Sequence, residues 1–124
     1  IRRQRQMCIR DSRMDVPSLL KAADIVIMSS HLEGLSLSNI EGMSVGKPFI
    51  ASDVDGLREV TKNYGILFPH QDAEALAKAI TELMRNSELY DSTAARCKKR
   101  ALQFDISVMA KKYNDRYCRL LKLK

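Results

Sequence analysis

The stretch Ile25-Val-Ile-Met-Ser-Ser-His-Leu-Glu-Gly-Leu-Ser-Leu-Ser-Asn-Ile-Glu-Gly-Met-Ser-Val-Gly-Lys-Pro-Phe-Ile-Ala51 decides the fold. Its two ends, Ile25–Met28 and Pro48–Ala51, are continuous apolar runs with no polar alternation. Such runs read as strands covered on both faces, the pattern of a parallel sheet. Between them, Ser38 to Val45 reads as a helix, with Gly46 at its C-terminal cap and Pro48 preventing continuation. Strand, helix and strand in that order make one βαβ unit, which joins parallel neighbours.

Working outward, Gly65–Phe68 is a third apolar run, and Leu57 to Thr61 predicts a short covering helix before it. Beyond Pro69 the pattern is helical. Asp72 caps a helix whose Ala73, Leu76, Ala77, Ile80, Leu83 and Met84 recur at intervals of three and four residues, so one apolar stripe should lie on the sheet. Leu89 to Gln103 predicts a second helix, strongly basic through Arg96, Lys98, Lys99 and Arg100. Asp105 caps a last one, striped by Ile106, Met109, Ala110, Tyr113, Tyr117, Leu120 and Leu121. The fold class expected is α/β: a partial Rossmann-like domain with about three parallel strands, flanking helices and a helical C-terminus.

Residues 1–12 stand apart. Arg2-Arg-Gln-Arg-Gln-Met-Cys-Ile-Arg-Asp-Ser12 resembles, codon by codon, the one-frame translation of a common transposase sequencing adapter, so it is excluded from fold reasoning as an expression scar would be. The domain is then expected over 13–124, with the coding sequence cut at Arg13. The excluded segment holds four Arg and one Asp, half of the formal net charge of +6. What is left is a mixed-sign surface of 17 basic and 14 acidic side chains with no aromatic interleaving, which argues against a nucleic-acid partner. No apolar run approaches the roughly 18 residues of a membrane span, and a cytoplasmic location is expected. Cys97 and Cys118 are too far apart for metal-ligand spacing and read as reduced packing residues on helices.

The chemistry-bearing pair is Glu33 and Glu41, with seven residues between them. Glu33 falls on the loop at the carboxyl end of the first strand, where ligands collect in open α/β sheets. Glu41 falls in the following helix. Carboxylates accept from hydroxyls, and the free backbone N–H groups of a helix N-terminus meet anionic oxygens. Ser38-Asn39-Ile40-Glu41 also fits the S-x-x-E capping box, in which Glu41 would only stabilise its own helix.

The run from Ser29 to Pro48 resembles the E-x7-E signature of retaining glycosyltransferases of family 4, with the GT-B fold. Asp15–Asp24, Gly56-Leu-Arg-Glu59, Gly65–Pro69 and Asp72–Ile80 resemble the family's flanking segments, so the likeness covers about residues 13 to 121. The resemblance implies half of a GT-B enzyme: the later part of the C-terminal domain, which binds a nucleoside-diphosphate sugar and transfers the sugar to a hydroxyl acceptor with retention. It implies that Glu33, Gly34, Leu35 and Ser36 hold the donor sugar, that the Leu37 and Ser38 amides meet the diphosphate, and that Glu41 holds the ribose. It implies no metal and no cofactor beyond the donor. The acceptor domain and the Arg/Lys clamp on the diphosphate lie outside the chain, so no catalytic residue is assigned in this fragment, and the isolated chain is expected to be inactive. The parent's peripheral association with the inner face of the membrane is part of the same expectation.

Two readings from other classes stand beside this one: a non-catalytic sugar-nucleotide or protein-interaction module, and a sugar-nucleotide 2-epimerase of the same fold. Asp53-Val-Asp55 reads as a turn rather than a metal-holding D-x-D. Asp55 stands where the family commonly has the first of two glycines, and Glu59 reads equally as a family site residue or a helix-start carboxylate. Gly42 stands where the family usually has Ala, and reads either as allowing a close helix–sheet approach or as simple lineage. His31 and His70 read as surface residues.

Overall fold

The computed structural model describes residues 13–121. In chain order these form α1 (Val16–Ala22), β1 (Val26–Met28), α2 (Leu37–Ser44), β2 (Phe49–Ser52), α3 (Asp55–Thr61), β3 (Ile66–Phe68), α4 (Ala73–Arg85), α5 (Ser87–Ala101), a 3-10 turn (Leu102–Phe104) and α6 (Ile106–Leu120). The expected parallel sheet is present in the order β1-β2-β3. Its register pairs Ile27 with Ile50, and Ile50 in turn with Ile66.

Alternation along β2 divides the core. Phe49 and Ala51 face α2, α3 and α5, where they are buried with Met43, Leu57, Val60 and Cys97. Ile50 points to the other face and packs with Phe68, Ala79 and Leu83 beneath α4. The central strand is therefore buried at all four positions. The edge strand β1 is not: Ile27 is 42% exposed, against the expectation that every strand would be covered on both faces. Among the described residues only one helix lies on that face, and α4 packs over β2 and β3 rather than β1.

Gly42 explains how α2 sits so close to the sheet. A Cβ there would meet Phe49 Cε2 at 2.7 Å and Val26 Cγ1 at 3.0 Å. Gly46 ends the unit with φ +75°, the left-handed conformation expected of a C-terminal glycine.

The helical half departs from expectation in detail. Asp72 does cap α4, accepting from the Ala75 N–H at 2.8 Å. The stripe that reaches the sheet is Leu76, Ala79, Ile80 and Leu83, whereas Ala73, Ala77 and Met84 are exposed. α5 begins two residues earlier than expected because Asn86 caps it through the Leu89 N–H, and it tightens into the 3-10 turn after Ala101. Its Arg100 is not part of a solvated basic face. The guanidinium donates to the carbonyls of Glu59 and Val60 in the last turn of α3 and lies between the rings of Tyr64 and Phe104. A cation there complements the negative end of α3. α6, capped by Asp105 as expected, buries none of its residues.

Candidate donor-binding loop at the carboxyl end of the sheet

The loop from Ser29 to Ser36 leaves the carboxyl end of β1 and feeds α2. Ser52 Oγ, at the end of β2, donates to the Ser30 carbonyl at 2.6 Å and fixes the start of this loop. Ser30 Oγ in turn donates to Glu33 Oε1 at 2.8 Å, so the half-buried carboxylate is held by one hydroxyl and keeps the rest of its accepting capacity. From below, α3 packs against the same backbone. A Cβ on Gly56 would collide with the carbonyl oxygens of Glu33 and Gly34, so only glycine lets the start of α3 approach this closely. On Gly34 the corresponding direction is open space.

The start of α2 corrects the capping reading of Glu41. The N-cap is Ser36, not Ser38: Ser36 Oγ accepts from the Asn39 N–H at 3.4 Å. Glu41 is consequently the fifth helical residue, about 6 Å along the axis from Leu37, and cannot return to the N-cap amide as a capping-box Glu does. Its side chain is exposed and makes no hydrogen bond or ion pair with another described residue. The Leu37 and Ser38 N–H groups likewise have no acceptor among the described residues, because Ser36 uses its hydroxyl on Asn39 and its carbonyl on Ile40. Leu35 is exposed beside them.

Glu41 borders a groove of about 160 Å³ with Val16, Pro17 and Leu20 of α1, a groove that Glu33 does not line. The two carboxylates thus belong to one loop–helix unit and face different surroundings. A further groove of about 650 Å³ lies between α4 and α5, lined by Lys78, Glu82 and Arg85 and by neither carboxylate.

Asp53 and Asp55 are engaged by Arg58, whose guanidinium bonds both carboxylates and the Asp53 carbonyl. These charge-assisted bonds hold Arg58 firmly protonated, chiefly through Asp53, and they engage both carboxylates where the bend after β2 passes into α3, so Asp55 begins a helix rather than completing the expected turn. Glu59 is not a helix-start carboxylate, because α3 already begins at Asp55. Among the described residues no three His, Cys, Asp or Glu side chains cluster as metal ligands would.

The histidines are the residues that sequence reasoning passed over. His31 Nδ1 and His70 Nε2 lie 2.6 Å apart with the rings edge to face, although 39 residues separate them. With Ser29, Ser52, Phe68 and Asp72 they line a cleft of about 190 Å³ across the carboxyl ends of all three strands. The only signal available was that each follows a strand within three residues, which places both at one edge of a parallel sheet.

Comparison with known proteins agrees with the fold. The chain is 30% identical over 113 residues to the N,N'-diacetylbacillosaminyl-diphospho-undecaprenol alpha-1,3-N-acetylgalactosaminyltransferase of Campylobacter jejuni, covering 90% of this chain and 30% of that protein. It is 35% identical over 80 residues to a phosphatidyl-myo-inositol mannosyltransferase of Mycobacterium leprae, covering 63% and 21%. Among solved structures, the sucrose-phosphate synthase of Thermosynechococcus elongatus superposes with a TM-score of 0.72 at 30% identity, covering 86% of this chain and 27% of that one. HepE of Anabaena, solved in complex with UDP, shares the fold with a TM-score of 0.80 at 24% identity, covering 86% and 30%. The chain therefore spans about a third or less of the proteins it resembles. The family described as "Glycosyl transferases group 1" matches residues 1–103, a range that runs across the segment read as adapter-derived. With a three-stranded parallel sheet, a loop–helix unit bearing Glu33 and Glu41, and a family match over most of its length, this chain belongs to the group 1 glycosyltransferases, of GT-B type.

Proposed function

We propose that this chain supplies part of the donor site of a metal-independent, retaining glycosyltransferase of the family 4 kind, which moves a sugar from a nucleoside diphosphate to a hydroxyl acceptor. The observation that carries the proposal is the start of α2, where the Leu37 and Ser38 amides have no acceptor among the described residues and the Glu41 carboxylate has no capping duty there. Groups without a partner among the described residues are available to a ligand. Glu33, braced by Ser30, accepts hydroxyls of the donor sugar, with the Gly34, Leu35 and Ser36 segment lying against that sugar and the open side of Gly34 leaving it room. The Leu37 and Ser38 amides, at the positive end of α2, receive the diphosphate. Glu41, facing its separate groove with α1, takes the ribose diol in two charge-assisted hydrogen bonds.

These residues act by holding the donor and by stabilising negative charge on the departing diphosphate, a role that requires positioned donors rather than a base. An acceptor domain and cationic diphosphate clamp elsewhere in the parent complete the site, so the isolated chain is inactive and binds nucleotide sugars at millimolar affinity or weaker. The proposal extends to a cytoplasmic enzyme working at the inner membrane face. In favour of the membrane face are the undecaprenol and phosphatidyl-myo-inositol in its relatives' names.

The test uses the full-length parent. Glu33→Gln should lower turnover tenfold or more while leaving affinity for the sugar-free nucleoside diphosphate nearly unchanged. Glu41→Gln should weaken that same nucleotide by about 1.5–3 kcal/mol, the size of a charge-assisted contact. Glu41→Ala should leave ligand-free stability within about 0.5 kcal/mol of wild type, as at other exposed sites. Unaltered nucleotide affinity in both Glu41 variants would remove the ribose role. Epimerised sugar nucleotide as the product would replace transfer with isomerisation.

A further inference from the structure

The β1–α2 and β3–α4 loops bring the chain's only two histidines together, His31 Nδ1 to His70 Nε2 at 2.6 Å. Neither loop reaches this arrangement passively. His31 follows the segment pinned by the bond from Ser52 to the Ser30 carbonyl. His70 sits in a tight turn closed by the Asp72 N–H on the Pro69 carbonyl, with Gln71 at φ +66°, a left-handed conformation that non-glycine residues seldom adopt. The turn turns His70 toward His31 across the mouth of the cleft that both line, and the Asp72 carboxylate lines the same cleft.

From this juxtaposition we propose that His31 and His70 form a binding site for a divalent transition-metal ion that ties the β1–α2 loop to the β3–α4 loop. Imidazole nitrogens are ligands of choice for Zn²⁺, Ni²⁺ and Cu²⁺. Two such nitrogens bound about 2.0–2.1 Å from a tetrahedral zinc stand about 3.3 Å apart. The observed separation needs to open by only about 0.7 Å, and both rings are exposed and free to turn. At present one proton fits between the two nitrogens. Metal binding replaces it: each nitrogen gives its lone pair to the ion, and the displaced proton passes through solvent to the far nitrogen of the ring that carried it, so both imidazoles stay neutral. Water completes the coordination, since the pair supplies two ligands and the Asp72 Oδ1 is committed to the Ala75 N–H. The carboxylate adds a favourable charge nearby. One of its ligands, His31, stands on the loop that carries Glu33, but the site is separate from the transfer chemistry: its effect is to hold that loop.

The composition makes the test clean, because a two-imidazole site within one chain can come only from these residues. The full 124-residue chain, without a histidine tag, is titrated with Cu²⁺, Ni²⁺ and Zn²⁺. Expected are one metal per chain, affinity in the order Cu²⁺ above Ni²⁺, and a copper spectrum with two equatorial imidazole nitrogens. Near-saturating Ni²⁺ should raise the thermal midpoint by several degrees. His31→Ala and His70→Ala should each weaken binding at least tenfold, leave a single imidazole in the copper spectrum, and abolish the thermal shift while preserving the circular dichroism of the fold. Affinity that survives in either variant, the absence of a site tighter than millimolar, or half a metal per chain with dimer formation would each overturn the proposal.

Discussion

Gly42 shows how one position reverses a general rule. In an exposed helix, replacing Gly by Ala stabilises by about 1 kcal/mol. At Gly42 the added methyl would strike the Phe49 ring at 2.7 Å, and Phe49 is fully buried between α2 and α3 with nowhere to go. Gly42→Ala is therefore expected to destabilise by about 1–3 kcal/mol, the usual cost of overpacking a core. Urea unfolding checks the sign, and a gain in stability would mean that α2 can lift from the sheet at no cost. The same residue bears on function, because lifting α2 also moves Glu41 and the Leu37 and Ser38 amides. The two-position difference between a cap at Ser38 and a cap at Ser36 decides whether Glu41 has a structural duty. Sequence alone pointed to Ser38, which opens the S-x-x-E pattern, but Ser36 also precedes the apolar helical run and its hydroxyl caps equally well.

Among the elements, α6 has the most distinctive pH behaviour. It buries nothing, so its N-terminal cap carries a large share of its order. Asp105 accepts from both the hydroxyl and the N–H of Ser107, and these bonds hold its pKa below the ordinary 3.8. A carboxylate with a depressed folded-state pKa contributes stability that is complete above its unfolded value and is lost as pH falls through the folded one. Helical signal from α6 should thus be steady down to about pH 4 and fall only below it. Asp105→Asn, which cannot titrate, should flatten that change when followed by NMR of α6 amides. The cap was legible in the sequence because Asp directly precedes an apolar-periodic segment, and the three strands were legible for the same kind of reason: each is a short apolar run bounded by breakers. What was not legible depends on neighbours. Met84 has the spacing of a core residue, yet α5 crosses α4 so that the contact falls on Ala79 and Leu83. The seven-residue α1 is too short to show a period, and Arg100 reveals its place on the carbonyls of α3 only once the two helices are packed. At the site, the E-x7-E spacing was visible, whereas the meeting of His31 with His70 depends on two loop conformations that no local pattern encodes.

At the scale of the whole molecule, the two described cysteines report on different events. Cys97 is fully buried between α2, α5 and β2, and burial pushes its thiol pKa up, while Cys118 on α6 is partly accessible. Thiolate is the reactive form, so Cys118 should alkylate in the native state and Cys97 only when α5 leaves the sheet. Placed in the chain with residues 1–12 deleted, which also removes Cys8, this pair tests the status of that segment. The family match runs across it, and the adapter reading holds that it was never selected with the fold. If that reading is right, the deletion leaves the thermal midpoint within a degree or two and Cys97 as protected from alkylation as in the full chain. A fall of more than about 5 °C corresponds to about 1 kcal/mol in a domain of this size. Accompanied by faster labelling of Cys97, such a fall would show that residues 1–12 pack against the core and are native.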